Sequence, residues 1–408
     1  MKIRQILWLI PDRQNYLFIS YSQALKQLNY QVTLFDHTEQ LIELGIDEMY
    51  SQIINHISSL DRESSLVIAS FYHYSMALTP EFLKKISEKI ALIIWSFDDE
   101  IYSTSQTFYQ AQSAHAIITT DFYGRGIFEQ LDIPTFFFPA PTIDLTILPT
   151  IQDKKIDIAF VGDCRKSNRH QYLNTLKEAG FRVEIFGRGS KNGFISRQKM
   201  REIFANSKIC LNFTGSSIPD SIAQLEPWRQ HIHQLKGRPF EICASGSFCL
   251  TEWVSHLEKC FSIGREIDCF CDLEELLAKA RFYLTHDTIR EEMAKTAYEK
   301  VNRDVLSLKS LEQVFLDLEM EILGNKLFVR KKEIVRSDYF RFLEVFFAAL
   351  MAIKMIQRNN LGLAMNLLKQ FKIFSFNSHH IYHLTRTFFT LVKMVYRRII
   401  HQTDRSSL

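Results

Sequence analysis

Apolar residues arrive in short runs from the start of the chain, and the runs alternate with segments of helical period. QILWLIP, YQVTLFD, SLVIASF, ALIIWSF, AHAIITT and PTFFFPA are strand candidates, with helices expected over 16–28, after Pro80 and over 121–130. Continuous apolar strands separated by helices are the pattern of a parallel sheet covered on both faces. The pattern predicts one Rossmann-like domain over residues 1–140. PTIDLTILPTIQDKK, residues 141–155, carries Pro141 and Pro149 with no apolar period and reads as a linker. The alternation then restarts with KIDIAFVGD, FRVEIFG, KICLNFT and SFCLTE as strands, and helices over 169–179, 196–206, 273–284 and 287–301. A second Rossmann-like domain over 156–322 follows, and 323–408 is a basic, aromatic helical extension. The fold class is α/β: two Rossmann-like domains facing each other across a cleft, plus the C-terminal helices.

In open parallel sheets ligands bind at the carboxyl ends of the strands, so the informative residues should follow the strands. Composition narrows the field further. A chain of 408 residues with 46% apolar residues can fill two or three cores. The opening MKIRQILWLIPDRQNYLF has a short apolar run without a small-residue cleavage pattern, so a first strand is expected there, not a secretion signal. No run approaches the ~20 apolar residues that span a bilayer. The 7 cysteines have no metal-ligand spacing and read as reduced thiols of a cytoplasmic protein. No metal is expected. Charge is unevenly placed: residues 323–408 hold 15 Lys and Arg against 4 Asp and Glu, and the rest of the chain is net acidic.

The stretch KGRPFEICASGSFCLTE concentrates the candidate chemistry. Pro239 suits a first helical turn, Gly246 stops the helix, and Phe240, Ile242 and Cys243 would face the core. That leaves Glu241 in the first turn, where the helix dipole favours an anion. A carboxylate there can accept two hydrogen bonds from a vicinal diol such as a ribose. Lys236 and Arg238 could neutralise a diphosphate. A helix-start acid with solvated cations is the bland alternative. Arg165, Lys166 and Arg169 follow the first strand of the second domain, with Arg169 and then Arg165 preferred as phosphate ligands; Asp163 beside them opposes an anion. Gly187 and Gly189 follow the next strand and let the chain turn close to a ligand. Asn212 and Thr214 end a third strand and would line the cleft. On the other domain, WSFDDE places Asp98 and Asp99 after a buried strand; adjacent extended residues diverge, so one of them enters the cleft to meet an acceptor hydroxyl. A helix N-cap is the alternative. His73 occupies the equivalent place one strand earlier.

QLKGRPFEICASGSFCLTEWVSHLEKCF, followed by DLEELLAKARFYLTHDTIREEMAKTAYEKV, resembles the glycosyltransferase domain of the CgeB-like, spore-maturation-protein type family. AFVGDCRKSNRHQYLNTLKEAGFRVEIFGRG, KICLNFTGSS and the W-x-x-D-D of ALIIWSFDDE are similar to further segments of that family, in the same order. The resemblance implies a GT-B glycosyltransferase of the group 1 type, retaining and without a metal cofactor, whose donor is a nucleotide-sugar. It implies that Glu241 holds the donor ribose and that the cations before it, Lys236 and Arg238, meet the diphosphate. The sequence departs from the related pattern of two glutamates: His233 stands near where the sugar-facing acid would be expected, and His233 replaces it, Glu226 reaches in, or His233 is an ordinary helix-surface histidine.

The extension mixes apolar, aromatic and cationic residues at helical spacing. It reads either as helices crossing back over the first domain or as a surface that seats on an anionic membrane. No nucleic-acid-binding motif is present. The expected protein is a cytoplasmic transferase, with a peripheral place at the inner membrane face if the second reading holds, acting on a glycan, lipid-linked or protein acceptor. Two rivals remain open: a nucleotide-sugar epimerase or phosphorylase on the same scaffold, and a non-catalytic nucleotide-sugar-binding protein.

Overall fold

The computed structural model describes residues 2–71, 75–141, 153–166, 168–216, 231–324 and 333–371. Its first sheet contains β1 (Gln5–Ile10), β2 (Gln31–Asp36), β3 (Ser65–Ala69), β4 (Ala91–Trp95), β5 (Ala116–Thr119) and β6 (Thr135–Phe137), in the order β2-β1-β3-β4-β5-β6. The second contains β7 (Ile156–Val161), β8 (Val183–Phe186), β9 (Ser207–Asn212), β10 (Phe248–Glu252) and β11 (Asp268–Phe270), in the order β11-β10-β9-β7-β8. The ladders in both sheets are parallel. Two Rossmann-like domains of the expected kind are therefore present.

Successive strand residues point to opposite faces, so an apolar strand feeds two cores. In β1, Ile6, Trp8 and Ile10 enter one cluster while Leu7 and Leu9 enter another. β4 divides the same way, Ile93 and Trp95 against Leu92 and Ile94. The first cluster continues into the second domain through Ala159, Val161 and Phe240. Its centre is a stacked pair, Trp8 and Trp95, with ring centroids 5.0 Å apart and planes 2° from parallel. Trp8 Nε1 donates to Ser70 Oγ (2.9 Å), which donates to the Trp95 carbonyl (2.8 Å), so the buried indole is satisfied.

The chain recrosses to the first domain earlier than the apolar pattern indicates. Helix Lys309–Gly324 lays Phe315 against Tyr30 and Trp95, and Tyr30 donates to Glu319 at 3.0 Å. Helices Asp338–Gln357 and Leu361–Gln370 then cover the outer face of the first sheet, burying Phe340, Leu343, Phe347, Met351 and Met355. Arg336 pins them by pairing with Glu81 and Glu344. So residues 333–371 pack on the body; 372–408 lie outside the described residues. No described helix is long and apolar enough to cross a membrane. The helix expected over 121–130 shortens to Arg125–Glu129, because Asp121 Oδ1 accepts from the Tyr123 amide at 3.1 Å and holds a turn there. The cysteines are unpaired thiols, most of them buried.

Trp95 is fully buried and touches Phe97, Phe138 and Phe315 besides Trp8. Trp95→Ala is expected to destabilise the protein by about 3–5 kcal/mol, read from the midpoint of denaturant unfolding.

Candidate active site

The carboxyl ends of the two sheets meet. After β7 the chain turns through Gly162 and Asp163; after β8 it turns through Gly187, with φ 104°. A Cβ on Gly187 would lie 2.3 Å from the Gly162 carbonyl oxygen, so only glycine lets these two turns touch. Between them and helix Arg238–Ala244 opens a cavity of about 360 Å³, whose wall includes Gly162, Lys166, Gly187, Phe194, Arg197 and Glu241. Phe240, Ile242 and Cys243 anchor this short helix in the core, which fixes Glu241 on its outer side.

Glu241 is 12% exposed and bound at both oxygens: Arg197 Nη2 donates to Oε1 at 3.1 Å, and Arg238 Nη1 donates to Oε2. Each carboxylate oxygen keeps a second lone pair for a ligand hydroxyl. Arg197 also stacks on Tyr16 of the first domain, its guanidinium carbon 3.7 Å from the ring centroid. Sequence reading passed over Arg197, since a cation one residue after a helix-capping serine looks like any surface charge.

The basic group after β7 is arranged differently from expectation. Arg165 turns out to solvent and forks onto Asp163 through Nε and Nη2, both at 3.0 Å. Arg169 turns inward and ties three loop carbonyls together, those of Asp163 (3.2 Å), Phe213 (3.2 Å) and Gly215 (3.0 Å). Lys166 is the cation that lines the cavity. Burial, with Lys236 and Arg169 nearby, lowers its ammonium below the ordinary lysine range. Among the described residues it has no carboxylate partner. Gly189 serves the turn beside Arg165 and Cys164 and lies outside the cavity wall. Asn212 is buried and lies outside the cavity wall; its amide donates to Thr251 Oγ1 of the neighbouring strand at 2.8 Å.

Across the cleft, Asp98 and Asp99 diverge. Asp98 adopts a left-handed backbone (φ 67°) and meets Lys236 Nζ at 3.0 Å and Gln234 Nε2 at 3.0 Å. Asp99 is fully buried and accepts from Ser96 (2.6 Å), Thr107 (2.6 Å) and Thr119 (2.5 Å). Burial outweighs those hydroxyls and raises its carboxyl to about 6. Asp98 is therefore the carboxylate at the cleft, and Asp99 is structural. His233 sits at the ends of β9 and β10, its Nδ1 2.7 Å from Thr214 Oγ1 and 3.7 Å from Glu252 Oε2. Glu252, unremarked in the sequence, accepts from the Thr214 and Gly215 amides at 2.8 and 3.1 Å. His73 and Glu226 lie outside the described residues. No group of three or more metal-ligating side chains occurs among the described residues.

Residues 165–315 match a family model described as glycosyl transferase-like. No curated protein matches the chain. Among solved structures, Anabaena HepE in complex with UDP-glucose is 12% identical with a TM-score of 0.52, covering 77% of this chain and 99% of that one. Sucrose-phosphate synthase of Thermosynechococcus elongatus is 11% identical with a TM-score of 0.52, covering 79% and 98%. TarM is 11% identical with a TM-score of 0.46, covering 65% of this chain; the chain spans 58% of TarM. The likenesses to HepE and to sucrose-phosphate synthase show the fold, the two-domain GT-B architecture.

Asp99→Ala would orphan three hydroxyls, and an expected loss of about 2–4 kcal/mol contrasts with under about 1 kcal/mol for Asp98→Ala at its part-exposed ion pair. Because the folded state holds the Asp99 proton more tightly than the unfolded chain, stability should fall as pH rises from the ordinary 3.8 towards about 6. Denaturant titrations across that range should show the slope flatten in Asp99→Asn.

Proposed function

We propose that this chain, a GT-B protein whose second domain is glycosyl transferase-like, moves a sugar from a nucleotide-sugar to a glycan, lipid-linked or protein acceptor. The observation that carries the reading is Glu241: a carboxylate held by two arginines on the wall of a cavity that a nucleoside diphosphate could enter. Its remaining lone pairs accept the two ribose hydroxyls. Lys166, Arg238 and Lys236 then face the diphosphate.

The reaction breaks the bond between the anomeric carbon and the diphosphate oxygen and forms one to an acceptor oxygen, whose proton leaves with the diphosphate or passes to a base. Cations on the cavity wall stabilise the departing charge. His233, with Nδ1 engaged by Thr214, offers Nε2 to the donor sugar. Asp98 is the carboxylate nearest an acceptor entering from the first domain. Retention at the anomeric carbon, independence of a metal and membership of the CgeB-like group rest on the resemblance of 156–301 to that family. UDP-sugars are the first donors to test, since HepE was solved with UDP-glucose.

The tail supports a peripheral place at an anionic membrane face of the cytoplasm. Ile356, Leu361 and Met365 are exposed apolar residues on the last described helices, and residues 372–408 add 6 Lys and Arg against a single Asp. Flotation with vesicles containing phosphatidylserine should recover the full chain, and truncation after Phe371 should abolish recovery.

A thermal-shift series with UDP-glucose and other nucleotide-sugars tests the donor site. A saturating donor should raise the midpoint by on the order of a few degrees. Glu241→Ala should lose most of that rise. Turnover of the stabilising donor without any acceptor would favour an epimerase, and binding without turnover would favour a binding protein. If no nucleotide-sugar stabilises the native chain, the donor assignment fails.

A further inference from the structure

Behind Asp98, the two domains bury a second pair of titratable groups. Glu100, the second residue of the short helix Asp99–Tyr102 after β4, has a side chain 5% exposed; His256, in the turn after β10, is fully buried. His256 Nε2 lies 3.8 Å from Glu100 Oε1. Among the described residues, three polar atoms here have no hydrogen-bond partner: Glu100 Oε1, His256 Nδ1 and His256 Nε2. Buried polar atoms without partners are rare and ask for an explanation. The other carboxylate oxygen of Glu100 is satisfied, by Gln234 Nε2 and Thr120 Oγ1, each at 3.3 Å. Gln234 also holds Asp98, and its segment runs directly into the helix that carries Arg238 and Glu241.

We propose that Glu100 and His256 are a positioning pair that holds one shared proton across the domain seam and so keeps the Asp98 turn docked on the segment leading to the donor helix. With the imidazole N–H on Nδ1, an ionised Glu100 Oε1 and His256 Nε2 are two opposed acceptors. A single proton between them supplies the missing donor and lets the 3.8 Å gap close to a hydrogen bond. The charges around the pair favour retaining that proton. Asp98, neutralised in part by Lys236, and Asp121 face Glu100; Asp121 and Glu258 face His256, with Glu258 accepting from Tyr123 at 2.8 Å. Lys259 is drawn away over the Phe122 ring.

Burial, then Asp98, raises the Glu100 carboxyl to about 8, while burial lowers His256 below its ordinary 6.5. The closed seam therefore carries one proton, on Glu100. With the seam open and solvated, both groups return to their ordinary values of 4.5 and 6.5. Between those values the open form also carries one proton, on the histidine, and closure is indifferent to pH. Above 6.5 the open form carries none, so closure weakens as pH rises towards 8; below 4.5 it carries two, and closure weakens as pH falls.

The distance between bio-orthogonal labels at the exposed Lys26 and Lys295, read by pulsed dipolar spectroscopy on the full chain without ligand, tests this. From pH 6.5 to 8 the open-to-closed ratio should rise on the order of tenfold, and between 5 and 6.5 it should stay level. Glu100→Gln, uncharged at every pH and still able to donate to the imidazole, should abolish the rise, whereas Glu100→Ala should be open throughout. A native distance unchanged across this range, or a rise that persists in Glu100→Gln, overturns the proposal. The consequence for turnover rests on the transferase reading: the alkaline limb of kcat/KM should move upward in Glu100→Gln. A seam that responds to pH in a chain that binds no nucleotide-sugar would uphold the pair while the transferase reading falls.

Discussion

Parallel pairing constrains everything else in this molecule. A strand that must run beside its neighbour in the same direction has to be reached by a crossover, so each sheet collects the turns that leave its strands along one edge. With both sheets built this way, the chain owns two such edges, and they meet. Asp98 and Glu100 after β4, and Tyr123 after β5, touch Gln234, Lys236 and Glu258 of the other domain. A cavity and a cluster of charge at that meeting place follow from connectivity before any residue is chosen for chemistry.

What the residues then supply is an unequal distribution of charge across the gap. The second domain brings Lys166, Arg197 and Arg238 to the cavity, with Glu241 and Asp163 as acids on the same wall. The first domain brings carboxylates, and burial sorts them: Asp98 reaches a lysine, Asp99 is enclosed by hydroxyls, and Glu100 is left facing a histidine. Three consecutive acids thus have three different surroundings within a single turn. The left-handed backbone at Asp98 is the cost of that arrangement, typically of order 1–3 kcal/mol for a residue other than glycine, and it is held by the contacts on either side.

The two domains are also tied away from the cleft. The cluster around Trp8 and Trp95 continues through helix Lys309–Gly324, so the chain that finishes the second domain completes the core of the first. Helices Asp338–Gln357 and Leu361–Gln370 extend that cover over the opposite face.

The fold was legible in the sequence because it is written in local terms. Apolar runs such as QILWLIP and KIDIAFVGD, spaced by helical segments, determine two parallel sheets, and Pro239 and Gly246 bound the short helix that carries Glu241. Asp98 and Asp99 diverge as expected, but through a left-handed turn at Asp98 and a helix start at Asp99, not through strand alternation. The direction of long side chains was not legible: nothing in RKSNR tells that Arg165 folds back on Asp163, that Arg169 collects loop carbonyls, and that Lys166 faces the cavity. Asn212 looked like a cleft residue until β10 placed Thr251 beside it. His256 and Glu100 stand 156 positions apart, and only the docking of one domain on the other takes both out of water. Sequence settles periodicity and local turns because those depend on near neighbours; burial of a charge, and the partner that answers it, depend on surfaces that exist only once distant segments have met.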